Sequence, residues 1–198
     1  MADEDIKKLI LILRTVAEYG KPERLLEALH VDFLGIPSLD IYKIINAANA
    51  KRRSPYEIVR QEALLTEAGV EAPDALIALS KKLAGWAKTA KNTDLVNFLE
   101  IVVRESGFLN HILGKPEVVE KMAKLSGLFD EVKTLVEKHK DYDLKDFLEY
   151  LATLGAQAGL LLAHARSLGD LKRAGQREKE QSARLRELDR LSGVGELA

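Results

Sequence analysis

Apolar residues recur three and four positions apart along nearly the whole chain, and no stretch alternates apolar with polar residues for long. The first segment shows the pattern at Ile6, Leu9, Ile10, Leu13, Val16 and Ala17. This spacing places apolar side chains on one face of an α-helix, whereas a half-buried strand needs alternation. The sequence therefore predicts an all-α fold, a compact domain of about eight to ten helices.

Glycine, proline and capping residues mark the predicted ends of the helices. Gly20 ends the first helix and Pro22 opens the second, each in its preferred position. Ser54 precedes a proline and has a glutamate three positions later, so it is predicted to cap a helix that continues to near Gly69. Later helices are predicted to start at Pro73, at Thr93 or Asp94, at Pro116, after Gly127 and at Asp143.

Charge and hydropathy exclude several classes of protein. The chain has 198 residues, of which 30 are basic and 31 acidic, so it lacks the basic excess of a dedicated nucleic-acid-binding protein. The acidic start at residues 1–5 lacks the basic region of a secretory signal. The longest uncharged run, residues 150–165, is shorter than the ~20 apolar residues of a membrane span. We therefore expect a soluble, cytoplasmic protein with no membrane partner.

No catalytic, metal-binding or cofactor motif is found in the sequence. The chain has no cysteine, which excludes thiol catalysis and cysteine-ligated metals. The Gly-Lys pairs at 20–21 and 114–115 are each followed by proline and lack the upstream glycine of a phosphate-binding loop. The four histidines show neither metal-pair spacing nor a visible pairing with an acid: His30, His111, His139 and His164. We therefore predict a non-enzymatic protein with no cofactor, metal or nucleotide.

One short segment, "FLGIPSLDIYKI" at residues 33–44, combines a Gly-Ile-Pro corner with a Ser-Leu-Asp helix start. It resembles the Gly-Ile-Gly turn and following helix in the 2B accessory domain of UvrD/Rep-type superfamily 1 DNA helicases. "IKKLILILRTVAEYG" at residues 6–20 is similar to the helix that opens that domain, and "DLKDFLEYLATL" at residues 143–154 to the helix that closes it. The resemblance covers residues 3–155.

The resemblance implies where nucleic acid would be contacted. In that family the 2B domain contacts duplex DNA, and its glycine turn meets the phosphate backbone. Carried over to this chain, Gly35 and Ile36 form the turn and Ser38 caps the helix behind it. Pro37 departs from the family pattern, because it replaces a glycine and removes one amide donor. The following Leu39, Ile41 and Ile44 or Ile45 are predicted to reach the core.

Basic residues along the same helix are further candidates for phosphate contact: Lys43, Lys51, Arg52 and Arg53. The alternative interpretation is a solvated basic helix end, since cations near a helix C-terminus favour the helix dipole in any case. The sequence leaves both interpretations open, and the structural one is favoured.

The ATPase motor of such helicases is absent, and the composition changes near Gly155. In the family, a Thr-x-His-x-x-Lys-Gly-Leu-Glu segment of the nucleotide site follows the 2B domain. The corresponding residues 159–173, "GLLLAHARSLGDLKR", lack the Lys-Gly-Leu-Glu. Residues 176–190 are charge-rich and helix-forming, with a narrow apolar stripe. We therefore expect a 2B-like domain at residues 1–155 and a helical extension at 156–198 packed on it.

The sequence favours a helical module that acts as a scaffold or binding surface. Its expected partner is the duplex DNA backbone, contacted at most weakly, or another protein. The alternative is an engineered helical scaffold with no native activity and a designed partner-binding surface on its C-terminal helices. Affinity for duplex DNA that falls with added salt distinguishes the first function from the second.

We expect the protein neither to bind nor to hydrolyse ATP, because no phosphate loop or magnesium-binding hydroxyl is in place. Calorimetric titration with ATP and Mg²⁺ should give only the heat of dilution, and phosphate release should match that of buffer. Micromolar ATP affinity that depends on magnesium would contradict this prediction.

Overall fold

A computed structural model describes residues 3–155, and within them the chain forms helices and no strand. The helices are α1 Glu4–Ala17, α2 Pro22–Leu29, α3 Ser38–Lys51, α4 Pro55–Val59, α5 Glu62–Glu67, α6 Pro73–Thr89, α7 Leu95–Glu105, α8 Phe108–Leu113 and α9 Val118–Lys138. A short 3-10 helix, Asp32–Leu34, lies between α2 and α3, and residues 144–155 are also helical. The predicted all-α class is confirmed.

The chain divides into two compact units, Met1–Glu149 and Tyr150–Ala198. Of the second unit the structure describes residues 150–155, which are helical. The helices predicted between residues 156 and 198, and the apolar stripe at 176–190, lie outside the described residues. Across the residues that the structure describes, no helix combines the length and the apolar character needed to cross a bilayer.

The first unit is held together by apolar faces that its helices bury against one another. α1 packs on α2 and α6, α4 contacts α2, α3 and α6, and α9 packs on α7 and α8. The largest fully buried side chains include one from α6, one from α7, one from α8 and one from the helix after residue 143: Trp86, Phe98, Phe108 and Phe147. Burial of each such ring contributes on the order of 2–3 kcal/mol, and the rings share the core with many buried leucine, isoleucine and valine side chains.

Local capping signals place most helix starts correctly. Ser54 accepts a hydrogen bond from the Tyr56 N–H at 3.3 Å, and Asp94 accepts one from the Asn97 N–H at 3.0 Å. The Asp143 carboxylate accepts from two backbone amides, at 2.7 and 3.1 Å, and so caps the helix that begins at residue 144. These starts are readable from sequence because donor and acceptor lie within three residues of each other.

Several predicted helix boundaries are wrong. The helix capped by Ser54 ends at Val59 rather than near Gly69, and α5 begins at Glu62. Ile58 on α4 and Leu65 on α5, on either side of the turn between these helices, are both fully buried. A break was also expected at Gly127, but α9 continues through this residue.

Packing explains why the chain passes through Gly127 without a break. Glycine inside a helix costs about 1 kcal/mol relative to alanine. Around it, apolar residues continue at helical spacing and are buried: Leu125, Leu128, Val132 and Leu135. Their burial outweighs the local cost. The predicted start of this helix at Pro116 is also displaced, since α9 begins at Val118.

A pair of serine substitutions tests the assignment of the caps. Ser54→Ala should lower the free energy of unfolding by about 1 kcal/mol, because it removes the acceptor for the Tyr56 N–H. Ser38→Ala is the matched control, since the Ser38 side chain forms no cap hydrogen bond and should change stability by only a few tenths of a kcal/mol. Urea unfolding of both variants measures the difference. Equal losses would contradict the assignment.

Candidate nucleic-acid interface

The turn predicted from the sequence is present between the 3-10 helix and α3. Gly35 adopts a left-handed conformation with φ +68°, and its N–H donates to the Asp32 carbonyl at 3.0 Å. A side chain at this φ would strain the backbone, so glycine suits the position. Ile36 follows it and is half-buried, whereas the Phe33 ring on the other side packs edge-on against the Phe108 ring, with centroids 5.6 Å apart. The turn is thereby fixed to the core.

The predicted helix cap at Ser38 is wrong. Pro37 occupies the cap position with φ −60° and ψ 134°, and Ser38 is the first helical residue. The proline ring favours this φ, and the extended ψ is the one a cap residue needs, so the helix begins one residue later than predicted. As a result, the N–H groups of Ser38 and Leu39 have no hydrogen-bond partner among the described residues.

Leu39 does not reach the core as predicted, because its side chain is 53% exposed. The buried face of α3 is formed instead by Ile41 and Ile44, which the sequence predicted, and by Ala48. Tyr42 is 61% exposed and lies on the same outer side of the helix as Leu39. The turn is thus followed by an exposed apolar and aromatic surface.

A buried carboxylate holds the start of α3 in place. Asp40 has no exposed surface, and its two oxygens accept hydrogen bonds from the Glu71 and Ala72 N–H groups, each at 2.9 Å. The two amides precede α6, so this carboxylate connects the first turn of α3 to the start of α6. This connection could not be predicted from the sequence, because 31 and 32 residues separate the partners.

Both lysines among the predicted contacts are already used within the protein. The Lys43 ammonium donates to the Gly69 carbonyl at 2.6 Å and lies 3.4 Å from the Glu71 carboxylate. The Lys51 ammonium forms an ion pair with Glu67 at 2.6 Å. Phosphate contact by either lysine would have to compete with these partners.

Arg52 and Arg53 differ from the lysines, because both are exposed and neither guanidinium forms a hydrogen bond or an ion pair with another described residue. Arg52 also ends α3 in a left-handed conformation with φ +52°. It is the sole non-glycine residue with positive φ in the described range 3–155. Glycine is the usual residue at such a helix end, and a side chain there costs about 1 kcal/mol.

The structure separates the predicted contact residues into two groups. Gly35, Ile36 and Ser38 lie at the N-terminal end of α3, and the arginines at its C-terminal end. Fourteen residues of helix place the two groups about 20 Å apart. Lys43, between them, is committed to Gly69. The two ends of α3 are therefore two separate candidate positions for binding an anion.

A groove of about 250 Å³ lies beside the turn, between Phe33, Leu34 and the small residues of α6. Its polar groups are paired within the protein. The Trp86 indole N–H donates to the Glu105 carboxylate at 2.7 Å, and the Lys82 ammonium donates to the Glu105 carbonyl at 2.7 Å. The groove thus offers no convergent polar groups for a small substrate.

A second charged cluster lies at the start of α1, which we term the N-terminal ion cluster: Asp3, Asp5, His111, Lys121 and Lys124. The Lys121 ammonium lies 2.9 Å from the Asp3 carboxylate and 2.8 Å from the Asp5 carboxylate. The His111 ring nitrogen is 3.0 Å from the Asp5 carboxylate, and Lys124 is 3.0 Å from Asp3. The cluster joins α1 to α8 and α9, across more than a hundred residues of sequence.

The cations of this cluster set the protonation of its acids. Burial raises the pKa of Asp5, but the hydrogen bonds from Lys121 and His111 outweigh it and lower the pKa to about 2. The hydrogen bond from Lys121 also holds the pKa of Asp3 well below its ordinary value. Both carboxylates are therefore charged and paired at neutral pH. Within residues 3–155 no group of acidic and histidine side chains has a metal-binding arrangement.

No family model matches the chain, and a search of curated proteins also finds no match.

Acid should weaken the fold through the N-terminal ion cluster. Because the pKa of Asp5 is lowered to about 2, its contribution is complete above pH 4 and is lost as pH falls toward 2. The linkage amounts to about 2 kcal/mol. Asp5→Asn should lower the free energy of unfolding at pH 7 and flatten its decline between pH 4 and pH 2.

The control for this prediction is Asp74→Asn, which changes an exposed carboxylate with no ion pair to a described residue. Urea unfolding at pH 7, 4, 3 and 2 should give the wild-type acid dependence for this variant. An Asp5→Asn variant that keeps the full acid dependence would show that the cluster does not govern it.

Proposed function

We propose that the protein is a non-enzymatic helical module that binds the duplex DNA backbone weakly through the two ends of α3. The resemblance to helicase 2B domains suggests the partner. The observation that carries the proposal is the pair of exposed arginines at the end of α3, which no acidic residue in residues 3–155 neutralises.

The N-terminal end of α3 supports a weak phosphate contact. Ser38 and Leu39 present N–H groups that have no partner among residues 3–155 at the positive end of a 14-residue helix, an arrangement that favours anions. Two features limit its strength. Pro37 has no N–H to contribute, and the nearby Asp40 carboxylate already uses part of the helix dipole.

The C-terminal end supplies the stronger attraction. The Arg52 guanidinium is always charged and suits two-pronged contact with a phosphate. Arg52 stands where glycine would relieve the positive φ, so its side chain is kept at a cost in stability. Two arginines and one amide site are few beside the six to ten phosphate contacts of a strong DNA-binding protein, so affinity should be low.

Salt dependence of duplex binding tests the proposal. Fluorescence anisotropy with a labelled 20-base-pair duplex should show affinity that falls between 20 and 200 mM salt. The Arg52→Gly, Arg53→Gln double variant should bind more weakly and lower the slope of log affinity against log salt by about two. Glycine suits the positive φ at residue 52, so the variant should stay folded.

The matched control is the Lys81→Gln, Lys133→Gln variant, which makes the same change in charge at exposed residues of α6 and α9. It should retain the wild-type slope. Equal losses in both variants would indicate a general effect of charge and contradict the proposal. Absence of affinity even at 20 mM salt would instead favour a scaffold without a nucleic-acid partner.

A further inference from the structure

The outer face of α3 carries polar side chains that the fold does not use. Tyr42, Asn46 and Asn49 are all exposed, and at 100° per residue they lie with Leu39 and Ala50 within an arc of about 100°. The Asn46 and Asn49 side-chain amides form no hydrogen bond to another described residue. Each carboxamide thus presents two donors and an acceptor to an outside partner.

The position of α3 leaves this face accessible. The helix packs chiefly against α4, and its buried residues, Ile41, Ile44 and Ala48, lie on its other side. Asp40 is the one acidic residue of α3, and it is fully buried. The exposed face therefore has no negative charge, although acidic residues slightly outnumber basic ones in the chain as a whole.

We propose, building on the backbone contact proposed above, that α3 lies in the major groove of duplex DNA, where Asn46 and Asn49 read base edges. An α-helix 10–12 Å across fits a groove about 12 Å wide. The ends of the helix would then meet phosphates through the Ser38 amide and Arg52. Three features of one helix, its accessible face, its uncommitted carboxamides and its anion-attracting ends, match this partner in shape and charge.

The chemistry of asparagine defines what would be read. A carboxamide can form two hydrogen bonds with one adenine. Its oxygen accepts from the N6 amino group, and its NH2 group donates to N7. Asn46 and Asn49 are three residues apart, about 4.5 Å along the helix, which corresponds to one or two base-pair steps of 3.4 Å. The exposed ring of Tyr42 offers apolar contact for a thymine methyl group. We therefore expect a short adenine-containing preference.

The same geometry argues against double-stranded RNA. The major groove of A-form RNA is deep and too narrow for side chains to read, so the α3 face could not reach its base edges. If the α3 face bound a protein instead, it would show no preference among DNA sequences. Discrimination among DNA sequences is therefore the property that separates this proposal from the others.

The test is selection of bound duplexes from a pool with a randomised 12-base-pair centre, at the low salt where backbone binding is measured. The wild type should enrich adenine at two positions one or two base pairs apart. Asn46→Ala and Asn49→Ala should each lose preference at one position, roughly tenfold in affinity for the selected duplex. Neither change should alter the salt slope, because neither side chain is charged.

Asn110→Ala is the control, since Asn110 is also an exposed helical asparagine, on α8, and should keep the wild-type preference. Loss of binding through unfolding is not expected, because alanine favours a helix more than asparagine does, and thermal unfolding checks this. Duplex binding without any base preference would overturn the major-groove proposal but not the proposed backbone binding. A base preference that the Asn46→Ala and Asn49→Ala variants retain would do the same. No binding of any duplex would overturn both.

Discussion

The position of α3 depends on the Asp40 carboxylate. A buried carboxylate is costly unless hydrogen bonds and a nearby cation compensate it. Here both oxygens accept backbone N–H groups at 2.9 Å, and the Lys43 ammonium lies 3.7 Å away. The same contacts satisfy two amides ahead of α6 that would otherwise lack acceptors. One side chain therefore fixes the first turn of α3 against α6, and with it the direction in which the Gly35 turn and the outer face of the helix are presented.

Interactions within a few residues could be predicted from the sequence, and interactions across the fold could not. The Ser54, Asp94 and Asp143 caps were predictable because each acceptor and its amide lie within one helical turn. The pairing of His111 with Asp5 was not, since 106 residues separate them. The helix end predicted at Gly127 is wrong for a related reason, because the buried residues on both sides outweigh the local tendency of glycine to break a helix. At Ser38 two local rules competed, and the fixed φ of Pro37 prevailed.

The candidate site was only partly predictable for the same reason. Sequence identified the basic residues of α3 but could not separate those with partners from those without. Lys51 meets Glu67, which is 16 residues away on α5, and Lys43 meets the segment that precedes α6. The arginines follow immediately in sequence, yet the chain turns at Arg52 and leaves them beyond these acids. The four basic residues differ in tertiary position, which cannot be predicted from composition or net charge.

The two charged regions differ in whether the described residues pair all of their charges. In the N-terminal ion cluster, Asp5 is buried and Lys121 contacts two carboxylates at once, so each charge is balanced inside the fold. An external ligand would have to displace those partners, and separating the ion pairs would cost free energy. Around α3 the charges that the fold requires, Asp40 and Lys43, are likewise satisfied internally. Among residues 3–155 the Arg52 and Arg53 guanidinium groups and the Ser38 amide have no such partner, so the phosphate contact proposed above would break no interaction between described residues.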